Sequence, residues 1–143
     1  MGESAGGALA VFAGLTSAVT GVIDLYGPVD FARDFEDMKG NPVKHGAYLQ
    51  RAAAFPGEAR EQQYAHFALD HVSKDAPPFL IFHGTADEKV APAHSEMLCE
   101  ALTAHGVPAD LYLVEGAAHG ADVFYQEEIT EIVLSFLDRY SRS

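Results

Sequence analysis

Apolar positions along the chain fall into short runs and helical stripes. Runs of β-branched, aromatic and aliphatic residues within 19–27, 77–84 and 109–116 predict buried strands of a parallel sheet. Apolar residues at i, i+3, i+4 and i+7 predict helices between and after these runs. Their stripes are Ala8, Val11, Phe12 and Leu15; Met97, Leu98, Ala101 and Leu102; and Ile129, Ile132, Val133, Phe136, Leu137 and Tyr140. Strands separated by helices predict an α/β fold with a short parallel sheet and flanking helices.

The length of 143 residues and a hydrophobic share of 48% predict one domain, 1–143. Within it we expect four segments: a turn and first helix at 1–16, a connector at about 31–77, a pair of loops within 78–120, and a terminal helix at about 125–140. The connector is richer in charge and in Gly and Pro, with a short helix expected within 58–72. It either borders a pocket, as a lid would, or is a solvated connection without a role.

The formal charge of −12, with nine Lys and Arg residues, argues against nucleic acid and anionic membrane surfaces as partners. Neutral or cationic small molecules are the easier ligands. No run of about 18 apolar residues predicts a membrane span, and the sequence shows no signal peptide. The location stays unknown, with cytoplasmic as the default, because a signal peptide would lie in the amino-terminal part that we expect to be missing. The single cysteine, Cys99, falls within a helical stripe and is interpreted as a small buried hydrophobe.

The stretch "GESAG" matches G-x-S-x-G, the motif of a nucleophile elbow, which is a tight turn between a strand and a helix. The turn presses the residues two before and two after the serine against the backbone, hence Gly2 and Gly6. Ser4 would then be exposed at the start of a helix. There the backbone N–H of Ala5 is free to donate to an oxyanion, with help from the helix dipole.

Two later loops supply the partners that a serine nucleophile requires. A hydroxyl needs a histidine to take its proton and a carboxylate to orient that histidine. Asp87, in "FHGTADEKV", and His119, in "VEGAAHG", each follow a predicted strand, so both lie at the carboxyl edge of the sheet, where ligands bind in α/β folds. The order Ser, Asp, His is that of α/β-hydrolases. Glu88 is the rival acid.

The other six histidines are interpreted without a catalytic role. His83 ends a strand before a glycine and is expected to be structural. His66 and His71 lie five residues apart, off the i, i+4 spacing with which two histidines on a helix hold a metal, so we predict no metal site and no cofactor. The remaining three are expected at the surface: His45, His94 and His105.

Five blocks of the chain carry a family resemblance: "GESAGGALA", "YGPVDF", "KDAPPFLIFHGTADEKVAPAHSEMLCEAL", "GVPADLYLVEGAAHG" and "FLDRY". Together they resemble the carboxyl-terminal half of an α/β-hydrolase of the carboxylesterase branch, which includes acetyl-xylan, feruloyl-type and hormone-sensitive-lipase-like enzymes. The resemblance covers the chain except about 34–69. It implies Ser4 as nucleophile, His119 as general base and then acid, and Asp87 as the orienting carboxylate. It further implies hydrolysis of a small-molecule carboxylic ester through an acyl-enzyme.

The sequence departs from that family in lacking its amino-terminal strands and the His-Gly-Gly-type loop that supplies a second oxyanion donor. A complete enzyme of this type runs to about 200–250 residues. We therefore expect a partial fold in which the "GVIDLY" strand is a bare edge, and self-association as a homo-oligomer through that edge. Two alternatives remain open: an inactive fragment or self-associating module, and a serine peptidase of the prolyl-oligopeptidase type.

Overall fold

The computed structural model describes residues 1–30 and 68–141. Four parallel strands form one sheet in chain order: β1 (Gly2–Glu3), β2 (Val22–Leu25), β3 (Phe79–Gly84) and β4 (Ala109–Val114). The helices are α1 (Ala5–Thr16), α2 (Ala93–Ala104) and α3 (Glu127–Ser141), with 3-10 helices at Ala68–His71 and Asp122–Tyr125. The predicted α/β class and parallel sheet are confirmed. Most of the connector, with most of its expected helix, lies outside the described residues.

The sheet separates two hydrophobic clusters because successive side chains of a strand point to opposite faces. One cluster joins β2 and β3 to α1 and α2, and its buried members include Val11, Val22, Phe79, Ile81, Leu98 and Leu102. The other joins the same strands to α3 and the 3-10 helix before it, through Ile23, Leu25, Leu80, Phe82, Phe124 and Phe136. Strands β2 and β3 are therefore covered on both faces. This packing holds the starting points of the loops at their carboxyl ends in place.

Helix α1 approaches the sheet through small residues. Its buried positions are Gly7, Val11 and Gly14, whereas Leu9 is 71% exposed. A Cβ added at Gly14 would collide with Val22, and one at Gly7 would collide with the carboxylate of Asp24. The apolar stripe predicted for this helix is accordingly only partly buried, because glycines make the closest contact with β2.

The expectation that "GVIDLY" forms a bare edge is wrong. Strand β1 pairs with its carboxyl half, with Gly2 beside Asp24 and Glu3 beside Leu25. All four residues of β2 are buried, because α1 and α3 also cover its faces. The pairing with β1 and the cover of the two helices together bury this strand. Self-association through a sheet edge stays a prediction that light scattering would test.

Strand β4 also differs from its prediction as a buried strand. Tyr112 and Leu113 are 41% and 43% exposed. Within the described residues β4 pairs only with β3, so it is an edge strand, and an edge strand has less cover than a central one. A short apolar run therefore indicated a strand correctly without indicating its place in the sheet.

Helix α2 ends as the sequence predicts. Gly106 adopts a φ of +75°, a left-handed conformation that glycine accommodates after a helix end. Cys99 is half-buried, packs at the margin of the core, and lies 3.9 Å from the carbonyl oxygen of Ala109 through its Sγ. None of the described helices is long and apolar enough to cross a membrane.

Candidate active site

Ser4 occupies the turn between β1 and α1 in a strained conformation. Its φ of 50° lies in the left-handed region that non-glycine residues rarely adopt. Its N–H donates to the carbonyl oxygen of Leu25 at 2.9 Å, and its own carbonyl accepts the N–H of Ala8 at 3.1 Å. These two bonds hold the serine between the strand and the first helical turn.

The steric reason expected for the two glycines of the turn applies to one of them. A Cβ at Gly2 would collide with the backbone of Gly6, so only glycine fits there. A Cβ at Gly6 would meet nothing within 4 Å. We expected close contacts at both glycines. The structure has one such contact, and Gly2 is the residue that must lack a side chain there.

Ser4, His119 and Asp87 form a chain of hydrogen bonds across the carboxyl edge of the sheet. Nε2 of His119 lies 2.9 Å from Oγ of Ser4, and Nδ1 lies 2.7 Å from Oδ2 of Asp87. The rival acid Glu88 is exposed, whereas Asp87 is only 7% exposed and faces the imidazole. With Asp87 accepting Nδ1–H, Nε2 is left as the acceptor that can take the serine proton.

Four donors surround the carboxylate of Asp87. The backbone N–H groups of Lys89 and Val90 donate to Oδ1, each at 2.9 Å. Oδ2 faces His119 and, at 3.3 Å, Nε2 of His83. Burial raises the pKa of Asp87, but the hydrogen bonds from His83, Val90, His119 and Lys89 together outweigh it and bring the pKa to about 2. The carboxylate is thus ionised at neutral pH although it is buried.

His83 is structural, as predicted, and it also contacts the acid. It is fully buried at the end of β3. Its Nε2 lies 3.0 Å from the carbonyl oxygen of Val90, which can only accept, so this nitrogen carries a proton. Nδ1 then accepts from the hydroxyl of Ser95 at 2.6 Å. This tautomer directs an N–H toward both Val90 and Asp87 and ties the acid loop to α2.

The N–H of Ala5 is available at the start of α1. Ala5 is the first residue of that helix, so its N–H has no acceptor within the helical ladder. The positive end of the helix dipole adds to its attraction for an oxyanion beside Ser4.

The prediction that His94 lies at the surface is wrong. Its side chain is fully buried, and Nδ1 faces the N–H groups of Val29 and Asp30 at 3.2 and 3.3 Å. The first turn of α2 packs on the segment after β2, a contact that helical periodicity does not reveal. His105 is exposed, as predicted. His45 and His66 lie outside the described residues.

Within the described ranges, no group of three or more His, Cys, Asp or Glu side chains is arranged to hold a metal ion. Sequence reasoning missed two tyrosines beside the site. The ring of Tyr26 lies edge-on to His119, with 4.8 Å between centroids, and the hydroxyl of Tyr26 reaches Glu3 and Tyr125. Tyr26 directly follows β2 and precedes Gly27-Pro28, which is the signal that could have indicated a residue at the carboxyl edge.

A parallel sheet with a strained serine between strand and helix, and with an acid and a histidine after later strands, defines an α/β-hydrolase fold. A family model described as the prolyl oligopeptidase family matches residues 1–143. The chain belongs to that family, whose members and structural neighbours are hydrolases. The expected superfamily is thereby confirmed, and the matching family is the one that the sequence had left as the peptidase alternative.

Similar proteins include both esterases and peptidases. A probable isoprenylcysteine alpha-carbonyl methylesterase of Oryza sativa subsp. japonica is 40% identical over 53 residues, which cover 37% of this chain and 12% of that protein. A truncated carbohydrate esterase from gut microbiota has 25% identity and a TM-score of 0.78, covering 99% of this chain and 59% of that one. The acylaminoacyl peptidase of Pyrococcus horikoshii has 17% identity and a TM-score of 0.71, covering 97% and 23%. This chain therefore spans only part of the length of each of these relatives.

Proposed function

We propose that this chain carries the catalytic serine, acid and histidine of a carboxylic ester hydrolase acting on small neutral substrates. The observation that carries the proposal is the hydrogen-bonded series from Ser4 through His119 to Asp87. In it Ser4 is the nucleophile, His119 the general base and then acid, and Asp87 the group that orients the imidazole and stabilises its positive charge.

The reaction would proceed through an acyl-enzyme. His119 Nε2 takes the proton of Ser4 as Oγ attacks the carbonyl carbon, and the N–H of Ala5 donates to the developing oxyanion. The imidazolium then protonates the leaving alcohol, and the ester bond breaks. Water, deprotonated by the same nitrogen, attacks the acyl-enzyme, releasing the carboxylic acid and restoring Ser4.

An ester is favoured over an amide because the similar proteins include a methylesterase and a carbohydrate esterase. The net charge of −12 favours neutral substrates over anionic ones.

Peptide-bond hydrolysis is the second candidate. It is supported by membership of the prolyl oligopeptidase family and by the similarity of fold to an acylaminoacyl peptidase. The same three side chains would serve, with His119 protonating a leaving amine instead of an alcohol. The two candidate functions differ only in the bond that is cleaved, so an ester and an amide substrate should be compared in one experiment.

The test is hydrolysis of a short p-nitrophenyl ester beside a dipeptide p-nitroanilide, together with labelling of the serine by a fluorophosphonate. We expect ester turnover and labelling, and we expect both to disappear in Ser4→Ala. Ser17→Ala is the matched control, because Ser17 is an exposed serine at the other end of α1. Faster turnover of the anilide would favour the peptidase. A folded chain that neither turns over nor labels would be the inactive alternative.

A further inference from the structure

Three polar side chains meet beside His119 without belonging to the proposed catalytic series. Glu3 directly precedes Ser4, Tyr26 follows β2, and Tyr125 ends the 3-10 helix after His119. The hydroxyl of Tyr26 donates to Oε2 of Glu3 at 3.0 Å, and the hydroxyl of Tyr125 donates to the same oxygen. The two phenol oxygens lie 3.1 Å apart. One carboxylate oxygen thus joins three segments of the chain.

The protonation states keep this cluster together. Hydrogen bonds from Tyr125 and then Tyr26 lower the pKa of Glu3, so its side chain is a carboxylate at neutral pH. Burial, followed by the contacts with Tyr125 and Glu3, raises the pKa of Tyr26. The bond to Glu3 is the main cause that raises the pKa of Tyr125. Both phenols therefore keep the protons that they donate to the carboxylate.

The cluster also contacts the histidine directly. Tyr26 is 1% exposed. Its ring packs edge-on against His119 and at a tilt against Phe124, each at 4.8 Å between centroids. His119 lies in a loop with small neighbours, Ala117, Ala118 and Gly120, which do little to orient the imidazole by packing. The ring of Tyr26, fixed at its hydroxyl end by Glu3 and Tyr125, gives the imidazole a packing surface in addition to its hydrogen bond with Asp87.

We propose that Glu3, Tyr26 and Tyr125 are positioning residues that form a clamp between the serine turn and the histidine loop and hold the imidazole of His119 within reach of Ser4. This inference rests on the proposed function, since it concerns the same histidine. It assigns a role to the residue before the nucleophile and to two tyrosines that touch no reacting atom.

The experiment measures how a fluorophosphonate inactivates Ser4 at varied concentration, which separates the limiting rate kinact from the binding constant KI. We expect Tyr125→Phe and Glu3→Met each to lower kinact about threefold to tenfold, the factor associated with one hydrogen bond of ordinary strength, with KI and the thermal midpoint unchanged. Glu3→Gln keeps an acceptor oxygen and should retain more of the rate than Glu3→Met. The double variant Glu3→Met/Tyr125→Phe should fall little below the single ones, because both remove the same interaction.

Tyr112→Phe is the matched control, because Tyr112 is another exposed tyrosine whose ring stacks on Phe82 and whose hydroxyl has no bond within the described residues. Its kinact should equal that of the wild type. The clamp is overturned if Tyr125→Phe and Glu3→Met label at the wild-type rate, or if their losses merely follow a lower thermal midpoint.

A second measurement separates failure of the clamp from failure of the proposed function. Amide hydrogen exchange over 117–126 reports how firmly the histidine loop is held, whether or not Ser4 reacts. If the wild type does not label at all, the proposed function fails. The clamp then stands if Tyr125→Phe accelerates exchange over 117–126 while Tyr112→Phe does not, and it falls if exchange is unchanged.

Discussion

Asp24 and Asp87 are two buried aspartates associated with neighbouring strands, and their carboxyl groups have opposite behaviour. Asp24 lies within β2 and is fully buried, and Asp87 follows β3 and is 7% exposed. Burial is the largest influence on the pKa of each. Yet the pKa of Asp24 is raised to about 7, whereas that of Asp87 is lowered to about 2.

The depth of burial and the number of donors together explain the difference, since Asp24 is the more deeply buried of the two. Asp87 faces two backbone N–H groups and two histidines. Asp24 accepts one bond, from the N–H of Gly27 at 3.1 Å, and its Oδ2 has no partner in the described part of the chain. A Cβ added at Gly7 or at Gly27 would collide with its Oδ1, so both of these neighbours are without side chains. The more deeply buried carboxyl, with one donor, is half protonated near neutral pH, whereas the less deeply buried one, with four donors, stays an anion.

The largest expected effect tests whether the two aspartates differ in their contribution to catalysis. In Asp87→Asn the amide oxygen would take the place of Oδ1, which accepts the two backbone N–H groups, so the NH2 group would face Nδ1 of His119. An NH2 donor favours the imidazole tautomer that carries its proton on Nε2, and this tautomer cannot take the proton of Ser4. We expect ester turnover to fall by about 10⁴. Asp24→Asn changes a buried aspartate of the same sheet and should alter turnover less than about threefold. Comparable losses in two folded variants would show that the two carboxyl groups do not differ in function.

The next effect is on the pH dependence of stability. The folded pKa of Asp24, about 7, exceeds its ordinary value of 3.8, so its contribution is fully present below about 4 and is lost as pH rises through 7. Urea unfolding should give a free energy lower at pH 8 than at pH 5, by an amount on the order of a few kcal/mol. Asp24→Asn should remove this difference. Identical pH dependence in the variant would refute a role for Asp24 in it.

The contribution of Asp87 to the free energy of unfolding depends on pH in the opposite direction and over a separate pH range. Its folded pKa of about 2 lies below 3.8, so the stability it contributes is present above 3.8 and is lost as pH falls toward 2. Between pH 5 and 8 it contributes a constant amount. The two aspartates can therefore be distinguished within one series of unfolding measurements.

The smallest effect concerns His83, whose hydrogen bond is the strongest of those that lower the pKa of Asp87. In His83→Leu that pKa should rise, and acid unfolding followed by circular dichroism should begin at higher pH, with a loss of about 1–3 kcal/mol at neutral pH for the unpaired Ser95 and Val90 groups. Fluorophosphonate labelling should slow about threefold to tenfold. His105→Leu, at an exposed histidine, is the control. An unchanged onset of acid unfolding in His83→Leu would mean that the backbone donors suffice.

The strands, the helices and the order of Ser4, Asp87 and His119 could be predicted because they depend on local periodicity and on short motifs. Parallel strands bring their carboxyl ends to one edge, so strand positions alone indicated which loops meet. The distances within the site were not predictable in this way. They depend on backbone conformations such as the positive φ of Tyr26, for which the sequence offers only a following glycine.

Other differences arise from packing between elements distant in sequence. Helical spacing could not show that His94 contacts the segment after β2, 64 and 65 residues away. The run in β4 could not show which side of the sheet it would occupy, so its exposure was missed. Glu3 is a variable position of the serine motif, and its contact with Tyr125, 122 residues away, leaves no signal in that motif.

The contact between Ser4 and His119 joins residues 115 positions apart. Such a contact forms only after the intervening strands have paired, and closing a segment of that length has an entropic cost that local structure does not offset. Reactivity at Ser4 would therefore appear late in folding and disappear early in unfolding. A fluorophosphonate added at successive times during refolding would then measure when Ser4 and His119 come together.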